Sequence, residues 1–113
     1  MQNYMQRLVD LCPAQATPFL LMDRTAIQSR AMDFITQAKS SGVFYAVKAN
    51  PDPQILHLIA NAGMGFEISA TDELDLLLGM GVDVRKIITS NPIKAPEFVE
   101  KMYRLGVRRF VFD

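Results

Sequence analysis

The sequence has a single cysteine, a single histidine and no surplus of either charge. One cysteine, Cys12, excludes an internal disulfide and any cysteine-built zinc site within the chain, and it fits a reducing cytoplasm; no metal is expected. Twelve Lys and Arg balance twelve Asp and Glu. The pairs Arg85-Lys86 and Arg108-Arg109 do not build the one-sided basic face that nucleic-acid binding needs, so no nucleic-acid partner is expected. No apolar stretch approaches the ~20 residues that span a bilayer, and the N-terminus has no basic cluster followed by a long apolar run. No membrane association is expected either. Disorder is disfavoured because 50% of the residues are apolar, enough for one globular core. The seven methionines read as core filler rather than as a binding surface.

From Val43 onward, short β-branched or aromatic runs alternate with amphipathic stretches, the pattern of βα units with a parallel sheet. The runs cover 43–48, 65–69, 86–90 and 108–112. Their starts are spaced by about 22 residues, near the ~30 per unit of a 250-residue eightfold barrel. Between them, Pro53 suits a first helical turn, Ile55, Leu58, Ile59 and Ala62 mark an apolar stripe, and Gly63 suits a left-handed stop. A second helix starts near Thr71, with Asp72 and Glu73 at its positive end, and stops at Gly79 or Gly81. A third starts near Pro96, partly buries Phe98, Val99, Met102 and Tyr103, and ends at Gly106.

The stretch before Val43 differs. Residues 17–22 read as a short strand. Asp23 then caps a long helix with apolar positions Ile27, Ala31, Phe34, Ile35 and Ala38, and Gly42 ends it. Residues 5–11 have weak helical character, which Pro13 breaks. The last run reaches Asp113 without a helix to cover the sheet, so the expectation is a truncated α/β chain, about the first half of a barrel.

The most informative run is Phe44-Tyr45-Ala46-Val47-Lys48-Ala49-Asn50, because it puts a lysine at the carboxyl end of an otherwise buried strand. That end is where barrels and open α/β sheets place chemistry. Burial disfavours the ammonium form, so the neutral amine becomes available to attack an aldehyde. A strand-end lysine that snorkels to solvent fits the same position.

Tyr45-Ala46-Val47-Lys48-Ala49-Asn50 resembles the cofactor-lysine motif of the pyridoxal-phosphate-dependent ornithine, diaminopimelate and arginine decarboxylases, whose barrel is shared with alanine racemase. Three further stretches agree in order: Thr17-Pro18-Phe19, then Gly65-Phe66-Glu67-Ile68-Ser69 through Glu73, then Ile87-Ile88-Thr89-Ser90-Asn91-Pro92-Ile93-Lys94. The resemblance implies α/β architecture with a partial (β/α)8 TIM barrel over 23–113. It also implies an N-terminal segment, 1–22, whose short strand joins a separate β domain. Lys48 takes the role of the lysine that binds pyridoxal phosphate covalently. Glu67 stands where aspartate is usual, near that lysine, and there a carboxylate favours positive charge and opposes burial. Glu73 matches a glutamate on the cofactor side of the barrel, although an acid in a first helical turn has a structural role of its own.

Ala70 replaces a serine of several relatives and removes any hydroxyl contact there. Asn91-Pro92-Ile93-Lys94 is nearer to the ornithine branch than to the diaminopimelate branch, with Lys94 read as a solvent-exposed loop residue. His57, between Leu56 and Leu58, reads as peripheral, and Cys12 is not the cysteine that relatives contribute from a partner subunit. The implied activity is decarboxylation of a basic amino acid, ornithine to putrescine, by a cytoplasmic homodimer acting on a small-molecule substrate. The 113 residues alone are expected to be inactive, because barrel phosphate sites use loops after later strands. Diaminopimelate or lysine decarboxylation, or a non-catalytic regulatory relative, are the alternatives.

Overall fold

Strands that alternate with helices form parallel sheets, because each helical crossover returns the chain to the end from which it started. The computed structural model describes residues 2–113. In it, β1 (Phe44–Ala46), β2 (Gly65–Ile68), β3 (Ile87–Thr89) and β4 (Arg109–Phe110) form one parallel sheet in the order β1-β2-β3-β4. Helices α3 (Pro53–Asn61), α4 (Thr71–Gly79) and α5 (Pro96–Leu105) connect them. Every crossover steps one strand the same way, so right-handed connections place all three helices on one face.

The register aligns Tyr45 with Phe66 and Phe66 with Ile87, and Ile68 with Thr89 and Thr89 with Phe110. Alternation along the strands turns these residues to the helices. There Phe66, Ile68 and Ile87 join Leu56 and Ile59 of α3, Leu74 and Leu77 of α4, and Phe98 and Met102 of α5 in one buried cluster. The opposite face carries Phe44, Ala46, Glu67, Ile88 and Arg109. Gly65 lies on it beneath the Phe44 ring: a Cβ there would sit 2.5 Å from Phe44 Cδ1 and 2.7 Å from the Lys86 carbonyl oxygen. The Arg109 guanidinium lies 5.8 Å from the centroid of the same ring, within cation–π range.

The helix ends follow local chemistry. Asp23 Oδ1 accepts from the Ala26 amide at 3.0 Å and starts α2 (Arg24–Ala38), and Asp52 Oδ1 accepts from the Gln54 amide at 2.8 Å ahead of Pro53. Gly106 closes α5 at φ 102°, a left-handed value that glycine adopts without a Cβ penalty. Before β3, the Arg85 amide and guanidinium both donate to Asp83, and this pairing holds the carboxyl well down, at about 2. Near the N-terminus α1 (Gln2–Leu11) runs into a 3-10 turn at Cys12–Ala14 that contains Pro13. Among the described residues no helix is long and apolar enough to cross a membrane.

Two expectations are corrected. Helix α2 stops at Ala38, with Lys39 at φ 54°, rather than at Gly42. Gly42 serves the close approach of Phe44 instead, whose Cε2 lies 3.0 Å from where a Cβ would be. Tyr103 is 60% exposed rather than partly buried, and its ring lies under the Arg108 guanidinium at 4.2 Å. Residues 19–22 are exposed and have no strand partner among the described residues; the partner expected for them belongs to a separate β domain.

Candidate functional site

Parallel strands bring all their carboxyl ends to one edge, so side chains from different βα turns converge there. At β1 the ladder stops at Ala46, and Val47–Ala49 form a 3-10 turn. Val47 is fully buried beneath it while Lys48 is exposed. Lys48 was expected at the carboxyl end of an otherwise buried strand. It stands instead, exposed, on the turn that follows the strand. Among the described residues the ion pairs join Arg30 to Asp33, Arg85 to Asp83, Lys101 to Asp75 and Arg104 to Glu100, and none involves Lys48.

Glu67 sits on β2 in register with Ala46, two positions short of Lys48 on the neighbouring chain segment. It is buried, with 8% exposure, and Oε1 accepts from Ser69 Oγ at 3.4 Å. The carboxylate of Glu73 turns back over the start of α4, where Oε2 accepts from the Ser69 amide at 2.7 Å and the Ala70 amide at 3.1 Å. Ala70 occupies the N-cap without a side-chain acceptor, so only the Glu73 half of a capping box is formed, its carboxylate accepting from the N-cap amide. Ser69 thereby links the two acids, one through its hydroxyl and the other through its amide. The structure thus brings Glu67 and Glu73 together, and it places Lys48 on the adjacent turn with no hydrogen bond to either among the described residues.

At the end of β3, Asn91 Oδ1 accepts from the Ile93 amide at 3.2 Å. Lys94 is half-buried, not a free loop residue. Its Nζ donates to the Pro92 carbonyl at 3.4 Å and to the Val111 carbonyl, tying this loop to the chain leaving β4. His57 is exposed and lines a hollow with Asp83 and Lys86, which precede β3, so it belongs to the opposite edge of the sheet. Tyr45 and Asn50 have no role assigned to them by the sequence beyond membership of the motif. The signal that could have found Asn50 is its place two residues before Asp52 and just ahead of two prolines, a turn-forming arrangement.

The family model described as pyridoxal-dependent decarboxylase, pyridoxal binding domain, matches residues 24–113. The chain belongs to this family. Pyridoxal phosphate is therefore the cofactor to test against these residues, and they fit it: an amine with no ion pair among the described residues stands at the carboxyl edge, two positions beyond the residue in register with the buried Glu67. Among curated pyridoxal-dependent decarboxylases, the chain is 36% identical over 97 residues to the lysine/ornithine decarboxylase of Selenomonas ruminantium, covering 86% of this chain and 25% of that protein. It is 33% identical over 101 residues to the ornithine decarboxylase of Schizosaccharomyces pombe, covering 89% of this chain and 23% of that one. The crystal structure of lysine decarboxylase from Selenomonas ruminantium superposes with a TM-score of 0.83 at 34% identity, over 96% of this chain and 28% of that chain. A lysine/ornithine decarboxylase from Vibrio vulnificus complexed with putrescine gives a TM-score of 0.78 at 28% identity, over 95% and 30%. The mixed α/β fold with its parallel sheet is thus that of the N-terminal barrel part of these decarboxylases, and the chain spans about a quarter of the length of the curated relatives it matches.

Proposed function

We propose that the whole protein uses pyridoxal phosphate to decarboxylate a basic amino acid, that Lys48 holds the cofactor covalently, and that ornithine is the substrate, giving putrescine for polyamine synthesis. The observation that carries this reading is Lys48 itself: exposed and unpaired at the carboxyl edge, inside the segment that matches the family. When bound, pyridoxal phosphate supplies the electron sink into which the bond to the departing carboxylate collapses. Lys48 Nζ would hold the cofactor through its aldehyde carbon, the position for which the amine of the substrate would compete. Glu67, on the next strand, lowers the cost of positive charge in front of this face of the sheet. Glu73 keeps the β2–α4 turn in shape on the cofactor side, through the two amides it accepts from. The homodimeric state and cytoplasmic location belong to the same proposal, as does pairing of residues 19–22 in a separate β domain. For that segment the support is its exposed apolar side chains, among them Leu20 at 78%.

Lysine as substrate is a second reading, favoured by the relatives named lysine/ornithine decarboxylase and by the Vibrio vulnificus structures complexed with cadaverine and with putrescine. The whole protein, loaded with pyridoxal phosphate, should release carbon dioxide from ornithine or lysine when offered these, arginine and diaminopimelate separately. Release from diaminopimelate alone would transfer the substrate assignment to that acid. No release from any of them, with cofactor bound, would leave a non-catalytic relative and sink the decarboxylase reading.

A further inference from the structure

The turn that presents Lys48 lies beyond the paired strand residues. The ladder between β1 and β2 ends at Ala46 and Glu67, and the next three residues form the 3-10 turn. What spans the base of that turn is a side chain: Tyr45 Oη donates to the Asn50 carbonyl at 3.3 Å, across five residues. The Tyr45 ring is itself fixed, edge-on to Phe66 at 85° with centroids 6.5 Å apart, on the helix-facing side of the sheet. Asn50 is fixed from the other direction. Its Oδ1 accepts from the Asp52 amide at 3.0 Å, and the Asp52 side chain caps α3. Between these anchors Val47 is fully buried, so Lys48 and Ala49 are the exposed crest of a turn pinned at both feet. Burial raises the Tyr45 phenol above its ordinary 10.0, which keeps its hydroxyl a donor through the physiological range.

We infer that Tyr45 is a positioning residue for Lys48: its hydroxyl, by holding the Asn50 carbonyl, fixes the Val47–Ala49 turn and so the place from which the Lys48 amine meets an aldehyde. This rests on the reading of Lys48 given above. Tyr45 reaches the site only through the backbone, and its ring touches the core rather than the reacting atoms. A nucleophile whose supporting loop is loosened reacts more slowly because fewer of its conformers are aligned for attack. Removing one hydrogen bond of this length should cost about 3- to 10-fold in rate.

The test compares the whole protein with its Tyr45→Phe variant, which keeps the ring and its packing. Cofactor-free protein is exposed to pyridoxal phosphate for timed intervals, quenched with borohydride, and the modification of Lys48 is measured relative to Lys39 by peptide mass spectrometry. Amide exchange of residues 48–50 is followed in parallel, without cofactor. Tyr45→Phe is expected to slow the capture by Lys48 about 3- to 10-fold against the Lys39 reference and to speed exchange in the turn, with the thermal midpoint little changed. Asn50→Ala, which removes the acceptor for the Asp52 amide, should act in the same direction, and Asn50→Asp, which keeps an acceptor there, should restore capture. If Tyr45→Phe unfolds the protein, the Asn50 pair decides the matter. Unchanged capture or unchanged exchange in the folded variants overturns the positioning role. If the unaltered protein modifies Lys48 no faster than Lys39, it is the cofactor-lysine reading that fails, and the positioning role falls with it.

Discussion

Thr89 is fully buried on β3, and its Oγ1 has no hydrogen-bond partner among the described residues. It faces the helices, in register with Ile68 and Phe110, so the hydroxyl is surrounded by apolar side chains. An unsatisfied buried hydroxyl costs about 1–3 kcal/mol, and a residue of the same shape without it escapes that cost. Thr89→Val should therefore raise stability by about 1 kcal/mol, seen as a higher urea midpoint with an unchanged slope. A lower midpoint would mean that the hydroxyl has a partner such as ordered water. Glu67 shows the opposite treatment of a buried polar group on the same sheet. It faces away from the helices and finds a donor in Ser69, so its burial leaves it hydrogen-bonded.

At the scale of elements, β1 and β2 approach as they do because Gly65 has no side chain. Gly65→Ala would drive a methyl group into the Phe44 ring and, less forgivingly, against the Lys86 backbone carbonyl at 2.7 Å. The expected result is a loss of about 1–3 kcal/mol, read as a lowered thermal midpoint, and an unchanged midpoint would contradict the packing described. The elements themselves were largely legible in the sequence, because their signals are local. Asp23, Pro53, Pro96 and Gly106 each act within one helical turn of where they stand, and each does what its residue type dictates. The misreadings share a different cause. Gly42 and Tyr103 both meet side chains from outside their helices, the Phe44 ring in one case and the Arg108 guanidinium in the other, which helical periodicity does not register. Lys48 followed the same rule: the motif located it at the carboxyl edge, but whether its turn is buried depends on what packs above it, and that is not encoded in six residues.

For the molecule as a whole, the one-directional strand order leaves β1 and β4 as the two edges of the sheet and puts α3, α4 and α5 on one side. The other face, with Phe44, Ala46, Glu67, Ile88 and Arg109, combines an acid, a base and apolar side chains, and the Lys48 turn rises at its carboxyl edge. Helices packed on one face, with the carboxyl ends of the strands gathered at one edge, form the arrangement of βα units in a barrel. The match of the described fold to solved lysine and lysine/ornithine decarboxylases over nearly all of this chain is consistent with it. The central claim is that Lys48 holds pyridoxal phosphate. Reduction of the cofactor-loaded whole protein with borohydride, followed by peptide mapping, tests it most directly. The expected product is one modified peptide, carrying the cofactor on Lys48 and absent from Lys48→Ala; attachment at Lys39, Lys86, Lys94 or Lys101, or a covalent link that survives in Lys48→Ala, would contradict the account.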